Sequence, residues 1–260
     1  MFALTEFSDY PYVIPSGKVD WTKTSPWTGW MDLTLGKKAF ATSALMGHGT
    51  NMGCDNSIKT WWSACTGDIG EWYGVDLGSE KTVRAVQTNF ADQGFGLGPE
   101  PKSPYRYLLE CSSDGYNWTI LKDYSESGTG NPHTLIVLDS AVRTRYIRVR
   151  NMAPLTGLMS VFDFRVFGNG DAPRPPAVKS LTAVRSEDPR RITVSWPSSE
   201  GADGYVLHWG VRKDEMYSSC QVYGTEVELG LFTKGQEYYF SVDAFSEGGV
   251  TKGKKVLKVN

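Results

Sequence analysis

Two stretches of this chain repeat with a period of two residues. Arg145-Tyr146-Ile147-Arg148-Val149-Arg150 and Thr82-Val83-Arg84-Ala85-Val86-Gln87-Thr88-Asn89-Phe90 place apolar and polar side chains alternately. An extended chain sends successive side chains to opposite faces, so this pattern makes one dry face and one wet one; a helix would scatter it. Helical periodicity is hard to find elsewhere. Ser113-Asp114-Gly115 and Gly128-Thr129-Gly130-Asn131-Pro132 supply turn residues between the runs. Nine Trp, thirteen Tyr and 28 Gly suit pleated strands joined by tight turns. The expectation is an all-β protein of antiparallel sandwiches.

With 260 residues there is chain enough for two cores, and 22% charged residues is an ordinary globular share, so disorder is not expected. A formal charge of −2 with no basic block argues against nucleic acid and against a polybasic membrane contact. No apolar run approaches the roughly 20 residues that span a bilayer. The first nine residues, Met1 to Asp9, lack the basic and apolar regions of a secretory signal.

A break falls at Gly168-Asn169-Gly170-Asp171-Ala172-Pro173-Arg174-Pro175-Pro176. Successive prolines remove backbone donors and cannot continue a sheet. The expected organisation is a lead-in over 1–30, a first domain over 31–169, a linker over 170–178 and a second domain over 179–260. The lead-in is aromatic and Pro-rich without periodicity, so it should pack as extended chain against a sheet.

No constellation for catalysis stands out. The three His are His48, His133 and His208, with no spacing that suggests a triad or a zinc site. There is no phosphate loop and no H-E-x-x-H. Cys54, Cys65, Cys111 and Cys220 have no metal spacing. Cys111 sits in a strand-like run and reads as a buried thiol; Cys54 and Cys65 flank a tryptophan pair, and their pairing is left open.

The segment Cys54-Asp55-Asn56-Ser57-Ile58-Lys59-Thr60-Trp61-Trp62-Ser63, then Gly70-Glu71-Trp72-Tyr73-Gly74-Val75-Asp76-Leu77-Gly78, resembles the coagulation factor 5/8 type C (discoidin) domain and the related family 32 carbohydrate-binding modules. Further pieces follow in order, from Tyr107–Trp118 through Arg145–Val149 to Val161–Gly168. The resemblance implies an eight-stranded jelly-roll sandwich that binds and performs no chemistry. Trp62, Trp72, Trp118, Tyr146 and Phe164 are expected in its core.

The same resemblance implies a structural calcium. Asp55, Ser57 and Thr60 supply oxygens within one turn, as a hard cation requires, and Asp163 occupies the last-strand position where the family has Glu. An Asx turn without metal is the plainer alternative. Sugar binding in the family uses loops at one end of the sandwich. His48 and Asn51, in Met46–Met52, and Asp92 and Phe95, in Asp92–Pro99, combine an aromatic face with short polar groups; two ordinary surface loops are the alternative.

After the linker, Trp196, Tyr205 and a tyrosine-corner-like Tyr238 three residues beyond Gly235 resemble a fibronectin type III domain. The lead-in Phe7–Pro11 and Trp27–Met31, followed by this pair, is similar to the C-terminal region of Bacteroidetes family 43 glycoside hydrolases, whose propeller has no counterpart here. The expectation is a non-catalytic carbohydrate-binding accessory module, with polysaccharide and a glycoside hydrolase catalytic domain as partners. A structural spacer and a protein-binding adhesive module are the alternatives. Since such modules are exported, an extracellular, periplasmic or cell-surface place is expected, from a chain whose leader has been trimmed.

Overall fold

The computed structural model describes residues 12–13, 29–95 and 105–260. The chain is all-β, and among the described residues the one helical turn is the 3₁₀ segment Thr50–Gly53. Two compact units divide at Asn169/Gly170. Most of the lead-in lies outside the described residues. Its visible strand β1 (Tyr12–Val13) pairs with β2 (Trp30–Asp32).

The unit Asp32–Asn169 contains β3 (Lys38–Ala41), β4 (Trp62–Ser63), β5 (Trp72–Phe90), β6 (Tyr107–Ser112), β7 (Thr119–Asp123), β8 (His133–Asn151) and β9 (Ser160–Asn169). β5 and β8 are each 19 residues long and pair with one another along most of their length. Their register shifts between Asp76 and Lys81 and again between Val83 and Ala85, and β-bulges bend a strand and increase its twist. Each strand therefore serves two sheets.

The first half of β5 and the second half of β8 build one sheet, whose row runs Phe40↔Gly74↔Arg148↔Glu110↔Ile120 from β3 to β7. The other halves join β9 and β4, where Trp62, Val161 and Phe90 lie side by side. Tyr73 closes the space between the sheets, its ring 4.9 Å from Trp62 and 5.8 Å from Phe164. Val75, Leu77, Ile147, Val149 and Val166 complete a core shielded from solvent. Each such side chain contributes about 1.5–3 kcal/mol by leaving water.

Both ends of β5 finish at the same end of the sandwich. Gly70 N–H, just before β5, donates to Asn151 O; Leu158 N–H, from the loop after Asn151, donates to Gln93 O, just beyond β5. This loop end gathers residues 42–61, 64–71, 91–95, 105–106 and 152–159. The turns at 78–81, 113–118 and 139–143 lie at the other.

Trp62 and Phe164 are in the core as expected, whereas Trp72, Trp118 and Tyr146 are only half-buried. The alternation that sends Ile147 and Val149 inward sends Tyr146 and Arg148 outward. On that outer face the Phe40 ring meets Trp72 edge-on at 5.4 Å and Tyr146 at 6.0 Å. Cys111 is buried as expected, and all four cysteines are free thiols.

The unit built on Gly170–Asn260 is a smaller sandwich. One sheet orders β10 (Thr182–Arg185), β11 (Ile192–Ser195) and β14 (Glu226–Leu229). The other runs β13 (Ser218–Val222), β12 (Gly204–Gly210), β15 (Tyr238–Ser246) and β16 (Gly249–Thr251), with β17 (Leu257–Val259) also on β15. Ile192, Val194, Trp196, Leu207, Phe240 and Val242 form its core. The Tyr238 hydroxyl accepts from Thr233 N–H at 3.1 Å, fixing the corner before β15.

Candidate functional site

The loop end is assembled by backbone packed on backbone. A Cβ on Gly67 would lie 2.1 Å from Gly157 O, and one on Gly157 would lie 2.4 Å from the Phe95 ring. Only glycine permits these approaches. Leu155 N–H donates to Gly67 O at 2.9 Å, and the Asn151 amide donates to the Gly67 and Asp68 carbonyls. Phe95 thus rests on the 157 loop, half-buried, with the Tyr105 ring 6.4 Å away. Asp92, exposed beside it, accepts from the Tyr105 hydroxyl at 3.3 Å. Burial, and then the Asp92 charge, push the Tyr105 phenol above its ordinary range. Residues 96–104, including Gly96–Pro99 of the expected loop, lie outside the described residues.

His48 and Asn51 occupy the other flank. The His48 ring lies 4.5 Å from the Trp61 ring, tilted by 33°. Its Nδ1 is 3.1 Å from Trp61 O, and a carbonyl can only accept, so Nδ1 carries the hydrogen. In the neutral ring Nε2 is then the acceptor. Asn51 is exposed, and its carbonyl accepts from Cys54 N–H at 3.2 Å. Ser63 N–H reaches His48 O, which ties this loop to β4.

β4, β9 and β5 are consecutive strands at this point. Adjacent strands lie about 4.8 Å apart, so the His48 and Asp92 flanks stand on either side of β9 with about 10 Å between their supporting strands. The four expected binding residues are therefore at one end of one sandwich, in two groups. Trp61 had no assigned role in the sequence; its neighbour Trp62 is the core residue, while Trp61, just before β4, is half-buried against His48. Glu71 was also missed. Its carboxylate accepts from the hydroxyls of Thr42, Ser43 (3.1 Å) and Thr66 (2.8 Å), pinning three segments of the loop end together. Hydroxyls so far apart in sequence leave no spacing signal.

The expected metal residues fall into two sets. Asp55 accepts from Ser57 N–H at 3.0 Å and from Thr60 Oγ1 at 2.7 Å, so these three share one turn. Asp163 is buried on β9, 2.8 Å from Arg165 Nε and 3.4 Å from Asn89 Nδ2. Burial pushes its carboxyl up to about 6, and Asp32 adds to the shift against the opposing Arg165. Asp55 and Asp163 both act electrostatically on Tyr73 and Cys54. Among the described residues no three His, Cys, Asp or Glu side chains form a metal-holding group. The hard oxygens of the Asp55 turn suit calcium, with backbone carbonyls needed to fill the shell.

The F5/8 type C domain matches residues 38–161 of this chain. Neuropilin-1 of Mus musculus is 28% identical over 129 residues, covering 45% of this chain and 13% of that protein. Lactadherin of Rattus norvegicus is 30% identical over 125 residues, covering 45% of this chain and 27% of that protein. The chain thus spans about a quarter or less of the length of these curated relatives. Among solved structures, chitosan-binding module 2 from a Paenibacillus sp. IK-5 chitosanase/glucanase, in complex with chitotriose, is 24% identical, with a TM-score of 0.45, covering 53% of this chain and 100% of that one. The family 32 module of Clostridium perfringens NanJ, in complex with galactose, is 17% identical, with a TM-score of 0.43, covering 52% and 95%. No helix among the described residues is long and apolar enough to cross a membrane.

Proposed function

We propose that this chain is a non-catalytic carbohydrate-binding module, with its glycan site at the loop end of the unit Asp32–Asn169. One observation carries the reading. Within the stretch matching the F5/8 type C domain, the Trp61–His48 pair and Phe95 over Gly157 flank β9, with Asn51 and Asp92 exposed beside them. Flat rings suit the C–H faces of a sugar, and short polar side chains suit its hydroxyls. The loops stand on a rigid ladder, so little must be ordered on binding. Calcium at the Asp55 turn, its shell filled by backbone carbonyls, would stabilise the loop end without chemistry. The unit Gly170–Asn260, with its Tyr238 corner, reads as a fibronectin type III-like spacer. The pair would serve a catalytic domain of a family 43-like glycoside hydrolase outside the cytoplasm, bringing it to polysaccharide.

A glycan array on the purified chain, followed by calorimetry on hits, tests this. Binding to plant or mucin glycans that depends on His48 and Phe95 supports it. A second reading has its own observation: Met46, Ile58 and Ile69 are exposed apolar side chains on the same loops, Met46 almost entirely so. Exposed apolar tips favour a protein-binding, adhesive module. An empty array together with protein capture lost on Met46→Ser would favour that reading.

A further inference from the structure

A cavity of about 560 Å³ opens at the end of the sandwich away from the loops. Tyr107 pairs with Asn151 at the loop end, while Ser112, five residues on, pairs with Tyr146. The rise of a strand places Ser112 about 17 Å further along. The cavity lies between the end of β6, the start of β7 and the bend of β8. Its lining mixes apolar side chains, among them Ile120, Leu121, Leu138 and Val142, with polar ones, among them Asn117 and Asp139.

Two features preform it. Asp114 accepts from the backbone N–H groups of Tyr116 and Asn117 at 2.8 Å, from Asn117 Nδ2 at 2.7 Å and from Ser112 Oγ at 3.0 Å. These bonds hold its carboxyl well below the usual carboxylate range and make the turn rigid. Thr144 Oγ1 donates to Ser112 O at 2.8 Å, locking the β8 bend to the same turn. Tyr116, 88% exposed, stands in that turn.

We propose that this cavity is a second carbohydrate site, for one or two uncharged pyranose units; its ligand class rests on the glycan-binding reading of the chain, and its position is independent of the loop end. The cavity follows only Thr119–Leu121 of β7. Three residues span about 10 Å, enough for a compact ligand and too short to seat a five- or six-residue peptide strand. Apolar side chains interspersed with hydroxyl, amide and carboxylate groups match a sugar's apolar face and its hydroxyls. Two carboxylates, Asp114 and Asp139, and one guanidinium, Arg143, line the cavity, so the charge balance disfavours an acidic sugar.

Titration of the ¹⁵N-labelled chain tests this, with xylotriose, methyl β-galactopyranoside, chitotriose and trigalacturonate each taken to about 10 mM, where millimolar binding shows. A neutral sugar should shift the amides of 113–120 and 139–144. Thr119→Trp, which fills the cavity from an exposed strand position, should abolish those shifts, and Asp139→Ala should weaken them about tenfold. An unchanged amide spectrum elsewhere would show both variants folded. His48→Ala and Phe95→Ala should leave these shifts intact, so the two sites fail or stand separately. Shifts confined to residues 46–52 and 92–95, response to trigalacturonate alone, or full shifts in Thr119→Trp would each overturn the proposal.

Discussion

The Arg148 guanidinium lies 3.8 Å above the centre of the Trp118 ring. Its Nε donates to Glu110 at 2.7 Å, and Arg150 donates to the same carboxylate at 2.9 Å. A carboxylate 4% exposed, in the middle of a sheet face, is thereby given two cations and an aromatic lid. Burial works to raise the Glu110 carboxyl, but the hydrogen bonds from Arg150 and Arg148 outweigh it and hold it below its ordinary value.

Glu110→Gln should therefore destabilise the chain by about 2–3 kcal/mol at pH 7, since both arginines lose their charged partner while Arg150 keeps contact with water. The sign of the pH dependence follows from the depressed carboxyl. Its contribution is complete above the ordinary value of 4.5 and is lost as pH falls through the lower folded value. Urea unfolding of both proteins should show the gap at pH 7 and its narrowing below about pH 4. A constant gap across that window would contradict the assignment.

Glycan binding should depend on the loop end and not on the Tyr238 unit. His48→Ala and Phe95→Ala should each weaken affinity about tenfold, near 1.4 kcal/mol, from a starting Kd in the tens of micromolar to millimolar range. Gly157→Ala should weaken it too, because its Cβ would displace the Phe95 ring. Calorimetry reads all three. The first two variants should melt within a few degrees of the parent; retained affinity in both would move the site elsewhere.

Calcium, if it binds as proposed, should raise the melting temperature, since a ligand of the folded state alone must stabilise it. Chelator should reverse the gain, and Asp55→Ala should remove the response. Identical melting curves in chelator and in excess calcium would dismiss the metal.

In the smaller sandwich, Tyr238→Phe leaves Thr233 N–H without its acceptor. Loss of about 1 kcal/mol is expected, as a lower urea midpoint with the slope unchanged. An unmoved midpoint would reduce Tyr238 to a packing residue.

How far the sequence was legible depends on how far apart the interacting residues lie. Alternation around Ile147 and Val149 correctly marks strand and core face, because period two is a local property. It also holds the answer for Tyr146, which shares a face with Arg148; aromatic character argued for the core, and position in the alternation prevailed. Trp72 is outward for the same reason, and Trp118 stands in the turn before β7; Arg148 covers both rings. His48, Asn51, Asp92 and Phe95 were legible as loop residues. Their arrangement on either side of β9 was not, since it depends on β5 pairing with β9 more than 70 residues away. Residues 111–121 and 138–144 bound the far cavity. Neither segment alone carries a signature.

Because β5 and β8 each leave the loop end, bend, and come back to it, the ladder is closed underneath the loops and nowhere threads between them. Residues 92–95 follow a strand whose register is set by bulges some distance below, and residues 46–52 are tied to β4 through Ser63 N–H on His48 O. The loop end therefore behaves like an interchangeable tool head on a fixed shank. New side chains can be set at its exposed positions for a different target while the shank folds unaltered, so long as the glycine contacts and the Glu71 hydrogen bonds beneath are kept.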